Sequence, residues 1–121
     1  MVQRNQDALL EPIKQVNQAV LQEVVRRIVA AVNPERIILF GSHTSGTPHQ
    51  HSDLDFLIVM ESALPRYRRA VPIYRALAGL LIPKDVVVYT PEEIEAWSGV
   101  PAAFVTAAMA QGRILYEKNE G

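Results

Sequence analysis

The chain has 121 residues, 49% of them hydrophobic, which is enough apolar material for one core and leaves no room for a second domain. A formal net charge of −1 gives no overall basic field for gripping nucleic acid, and the absence of cysteine excludes a disulfide framework or a cysteine-ligated metal. No apolar run approaches membrane-spanning length and the first residues, Met1 to Asp7, lack a signal-peptide core, so a cytoplasmic protein with no membrane association is expected.

In chain order, Ile13, Val16, Val20, Val24, Ile28 and Val32 recur at three- and four-residue steps, which predicts a long amphipathic helix ending before Asn33-Pro34. Ile37-Ile38-Leu39-Phe40 is short, apolar and β-branched-rich, bounded by Pro34 and Gly41, and reads as a buried strand. Gly41 and Ser42 then stand at a strand exit. Glycine lets the backbone approach a ligand closely, and free N–H groups with the Ser42 hydroxyl suit a phosphate.

Leu54 to Met60 reads as a second strand, and alternation turns Asp53 and Asp55 to one of its faces, with Leu54 and Phe56 on the other. Two neighbouring carboxylates favour a hard divalent cation such as Mg²⁺, which nucleotide phosphates help to hold. His49 and His51 precede them at the same two-residue step and suggest a transition-metal site, but Pro48 and Gly46-Thr47 argue for a polar loop instead.

Pro65 to Ile82 predicts another helix, which Pro72 either kinks or begins. Its Arg66, Arg68, Arg69 and Arg75 read as a solvated face, with phosphates or an acidic partner as the alternative. Pro83 to Thr90 reads as a third strand with Asp85, Val87 and Tyr89 on one face. If it lies beside the Asp53/Asp55 strand, Asp85 brings a third carboxylate; otherwise it is a strand-end residue satisfied by solvent or Lys84. Thr90-Pro91-Glu92-Glu93 combines an N-cap, a first-turn proline and a capping-box glutamate. Trp97 is expected to pack. A helix from about Ala102 to Gln111 stops at Gly112, Arg113 to Tyr116 forms a short edge strand or extended tail, and 117–121 form a flexible tail. The expected domain is single, 1–121, with its core at about 13–116.

Gly41-Ser42, an eleven-residue step to Asp53, Asp55 two further on and a later strand Asp85 resemble the signature of the nucleotidyltransferase superfamily related to DNA polymerase β. The short length is similar to the minimal nucleotidyltransferases, the MntA-like antitoxin partners of HEPN-domain proteins. The resemblance spans about Val16 to Tyr116. It implies an α/β (α+β) nucleotidyltransferase fold, a small mixed β-sheet flanked by helices. It also implies Mg²⁺-dependent attack on the α-phosphate of a nucleoside triphosphate, taken as ATP, with release of pyrophosphate. By the same resemblance Asp53, Asp55 and Asp85 are the metal-binding and catalytic carboxylates, and Gly41, Ser42 and His43 the phosphate contacts. The implied activity is transfer of a nucleoside monophosphate, AMP by expectation, to a hydroxyl on a HEPN-type partner within a toxin–antitoxin pair. Many members read Gly-Ser-Arg-x-Arg-Gly, whereas this chain has Gly41-Ser42-His43-Thr44-Ser45-Gly46. Histidine, with an ordinary pKa of about 6.5, carries only part of a charge where arginine carries a whole one. His43 is then a phosphate contact or a solvent-facing loop residue, and the alternative function is a catalytically weak or inactive nucleotide-binding antitoxin acting by contact.

Overall fold

The computed structural model describes residues 18–40, 54–97, 108 and 110–118. Helix α1 (Gln18–Val32) buries Val20, Leu21, Val24 and Ile28, the stripe that the spacing predicts; its expected start at Ile13 lies outside the described residues. It stops at Asn33, whose φ of 49° is a left-handed conformation that asparagine tolerates, and whose N–H donates to Val29 O at 3.0 Å.

Strands β1 (Arg36–Phe40) and β2 (Leu54–Val59) pair antiparallel, and β3 (Lys84–Tyr89) lies parallel to β2. β4 (Arg113–Glu117) closes the other side of β1, antiparallel, so the sheet runs β3-β2-β1-β4 and is mixed as expected. A parallel pair needs a crossover. Here it is made by two short helices, α2 (Arg66–Arg69) and α3 (Val71–Ala76), where the sequence predicts a helix from Pro65 to Ile82 that Pro72 kinks or begins. The physical reasons are Pro72, which cannot donate to Arg68 O, and Gly79, whose φ of +93° turns the chain after Ala76. Helix α4 (Pro91–Trp97) starts on the expected capping box: Thr90 N donates to Glu93 Oε1 at 2.9 Å and Glu93 N to Thr90 Oγ1 at 3.2 Å.

Both faces of the sheet are covered, but unequally. One face packs Ile37, Leu39, Leu54, Phe56, Ile58, Val86 and Val88 against Val24 and Ile28 of α1, Ile73 of α3 and Leu77 just after it. The other joins Ile38 and Leu57 to Ala108, with Phe40, Val87, Tyr89 and Ile94 partly buried around them. A Cβ on Gly112 would collide with Ile38 Cγ2 and come within 2.5 Å of Ala108 O, so only glycine fits where the chain enters β4. Residues 108, 110 and 111 are helical, matching the end of the helix expected from Ala102; 102–107 lie outside the described residues. Trp97, expected to pack, is 46% exposed because α4 buries none of its residues fully. β4 runs to Glu117 and Lys118 N donates to Glu35 O at 2.8 Å, so hydrogen bonds hold the chain slightly past the expected start of the tail.

Candidate active site

β2 is buried at every position except one. Its pattern leaves only Asp55 partly exposed among Leu54, Phe56, Leu57, Ile58 and Val59. A strand buried on both faces reads as a continuous apolar run, so a carboxylate interrupting it carries a solvation cost that packing alone does not repay.

The register places Asp55 between two informative partners. Across β1 it faces Phe40, the last residue before Gly41, and across β3 it faces Asp85. Neighbouring strands lie about 4.8 Å apart, and side chains at paired positions share a face. Asp55 and Asp85 therefore stand side by side on the less filled face of the sheet, on strands that are independent in sequence. Asp85 is exposed. Gly41, Ser42, His43 and Asp53, together with His49 and His51, lie outside the described residues.

Asp85 has a partner that sequence reasoning missed. The Tyr74 hydroxyl accepts the Val86 N–H at 2.8 Å, which directs its own hydrogen to Asp85 Oδ1, 3.3 Å away. β3 is an edge strand of the sheet, and Tyr74 takes an outward main-chain donor there that another strand would otherwise seek. The available signal was Tyr74 lying one residue beyond the inward-facing Ile73, beside the edge of the sheet. Lys84, the partner weighed for Asp85, donates instead to Ile82 O at 3.2 Å.

The arginine cluster divides. Arg69, read as part of a solvated face, is 8% exposed; its Nη1 is 2.7 Å from Glu93 Oε1 and its Nε 3.0 Å from Leu64 O. Its four-residue spacing to Ile73 and Leu77 was the signal for an inward position. Arg66 stacks 4.7 Å over Tyr89 and reaches Glu93 Oε2 at 3.5 Å. The Arg69 hydrogen bond, aided by the Thr90 N–H and both guanidinium charges, holds the Glu93 carboxyl down to about 2 against the opposing effect of burial. This network ties α2 to α4 at the far end of β3 from Asp85.

A cavity of about 470 Å³ also lies at that far end, lined by Glu35, Arg36, Glu61, Glu92 and Glu95 among others. Four carboxylates against one guanidinium repel a triphosphate. The paired carboxylates Asp55 and Asp85 stand at the opposite end of the strands, beside Phe40.

Two carboxylates on one face of adjacent strands are an all-oxygen donor set, which fits a hard divalent ion such as Mg²⁺. The fold agrees with what known proteins show. The family profile described as "Nucleotidyltransferase domain" matches residues 14–110, and the chain belongs to that family. Among curated proteins, none matches the chain significantly. Solved structures that share the fold include the following three. A toxin–antitoxin crystallised with AMP-PNP is 22% identical, covers 83% of this chain and 75% of its own, and has a TM-score of 0.58. A Sulfolobus solfataricus protein assigned as a nucleotidyltransferase is 17% identical over 98% of this chain and 88% of its own, also with a TM-score of 0.58. A toxin–antitoxin MntA–HpeT variant with aspartates changed to glutamate is 18% identical over 87% of this chain and 76% of its own, with a TM-score of 0.57.

Proposed function

We propose that this protein is a Mg²⁺-dependent nucleotidyltransferase that moves a nucleoside monophosphate, AMP from ATP, onto a hydroxyl of a partner protein, and that it serves as the antitoxin of a HEPN-type toxin. The single observation that carries the reading is the juxtaposition of Asp55 with Asp85 beside the end of β1, where Gly41 and Ser42 follow in sequence. Family membership supports the chemistry, and the toxin–antitoxin proteins of the same fold support the biological role.

In this reading Asp53 and Asp55 hold the metal with Asp85 as third carboxylate, and Gly41, Ser42 and His43 contact the triphosphate. A divalent ion held by these carboxylates would offset phosphate charge and draw electron density from the α-phosphorus. Asp85, exposed and hydrogen-bonded by Tyr74, orients the acceptor hydroxyl and takes its proton. The hydroxyl oxygen forms a bond to the α-phosphorus, the bond from that phosphorus to the bridging oxygen breaks, and pyrophosphate leaves with that electron pair.

His43 at the position of an expected arginine favours a second reading, in which nucleotide binding is weak and contact with the toxin suffices. Incubation of the purified protein with Mg²⁺, α-phosphate-labelled ATP and lysate of its host separates the two. Label on a protein band with the parent chain and none with Asp53→Asn is the expected result. Equal label with both proteins, or none with any nucleoside triphosphate, overturns the transferase reading.

A further inference from the structure

The crossover helices present an outward face that touches the sheet edge and Asp85 through the Tyr74 hydroxyl. From Arg66 to Ala76 the chain stays near helical, Ala70 keeping φ −81° and ψ −11° between α2 and α3. At 3.6 residues per turn, Arg69, Ile73 and Leu77 fall inward. Tyr67, Val71 and Tyr74 then share the opposite side, with Arg68 and Arg75 along one flank. Tyr67 is 82% exposed, Leu64 43% and Val71 42%, so the stripe is apolar, aromatic and open to solvent.

The charges on this segment are of one sign. Between Glu61 and Asp85 the sequence has Arg66, Arg68, Arg69, Arg75 and Lys84 and no carboxylate at all. Arg66 and Arg69 are committed to Glu93, but Arg68 and Arg75 form no ion pair among the described residues. Tyrosine and arginine beside aliphatic side chains are the composition of interface hot spots, and carboxylates on a partner would supply the missing charge. The stripe also joins the candidate active site, because Tyr74 lies on it and hydrogen-bonds Asp85.

We propose that the Leu64–Tyr67–Val71–Tyr74 stripe, flanked by Arg68 and Arg75, docks an acidic amphipathic segment of a partner protein and so delivers the acceptor toward Asp85. The delivery rests on the transferase reading above, whereas the docking does not. Two exposed tyrosines and two aliphatic side chains against two open arginines favour a protein over a nucleic acid, whose grip needs a larger number of phosphate contacts.

Fluorescence anisotropy tests it with the full chain and three labelled probes: an amphipathic helical peptide with leucines flanked by glutamates, the same peptide with lysines, and a single-stranded RNA oligonucleotide. The acidic peptide is expected to bind, more weakly as salt rises, and about tenfold more weakly to the Arg68→Glu, Arg75→Glu variant. Tyr67→Ala, which changes no charge, should weaken it as well. Both variants should keep the parent's circular dichroism, since none of the three side chains is buried. Unchanged acidic-peptide binding by both variants overturns the proposal, as does preference for the lysine peptide or for RNA. A parent dimer in solution that Tyr67→Ala dissociates also overturns it, because a second copy then covers the face. Peptide binding uses no nucleotide. A parent chain that binds the acidic peptide but transfers no label keeps the docking face and loses the transferase reading, while the opposite result removes the face alone.

Discussion

The two faces of the sheet are made by the same strands and differ in what they spend their residues on. Toward α1 and α3, β2 contributes Leu54, Phe56 and Ile58, each 2% exposed or less, and β3 contributes Val86 and Val88. One residue along, the same strands turn Asp55 and Asp85 to the other face, where the apolar cluster is smaller and begins only at Leu57 and Val87. Alternation with period two thus lets the strands that build the larger apolar cluster hold a carboxylate pair in register on the opposite face. The difference teaches that rigidity and chemistry are separable here at single-residue resolution.

Substitutions can break that comparison in order of size. Phe56→Ala, in the packed face, is expected to cost about 3–5 kcal/mol of unfolding free energy by denaturant titration. Arg69→Ala should cost about 3 kcal/mol, because it strands a partly buried Glu93 carboxylate and leaves Leu64 O without its donor. The same pair sets a pH dependence. Glu93 has a folded pKa of about 2, below its ordinary 4.5, so its contribution is complete above about pH 5 and is lost as pH falls through 4.5 toward 2. Acid titration of the melting temperature should show that loss in the parent and a shallower one in Arg69→Ala. Gly112→Ala is expected to cost about 1–3 kcal/mol, by clash with Ile38 and Ala108 on the smaller cluster. Tyr74→Phe keeps the ring but leaves the Val86 N–H without its hydroxyl acceptor. A loss of about 1 kcal/mol of unfolding free energy by denaturant titration follows.

Much of this division was legible in the sequence. The β-branched runs at Ile37–Phe40 and Val86–Val88 declared their strands, and Thr90 with Glu93 declared the capping box that the structure contains. Asp55 and Asp85 were readable as neighbours only on the condition that their strands lie side by side, and the register of β2 and β3 meets it. What escaped depends on contacts distant in the chain. Arg69 looked like one arginine of a solvated four, since nothing local shows that Glu93, twenty-four positions on, would neutralise it in the interior. Tyr74 looked like a helix surface residue until β3 was seen to be an edge whose Val86 N–H needs an acceptor. The interruption at Pro72 was readable, but the expected end at Ile82 was not, because apolar periodicity continues to Leu80 past the turn that Gly79 makes.

Thermal unfolding of the parent and of Asp55→Asn, each with and without Mg²⁺ and ATP, tests the separation of the two faces most directly. Without ligand, the variant should melt at or slightly above the parent temperature, since removing one of two adjacent carboxylates relieves repulsion and disturbs no packing. With Mg²⁺ and ATP, only the parent should gain stability, by an amount that grows with ligand concentration. An equal gain in the variant would contradict the account, as would a variant already unfolded without ligand, because Asp55 would then serve the fold rather than the nucleotide.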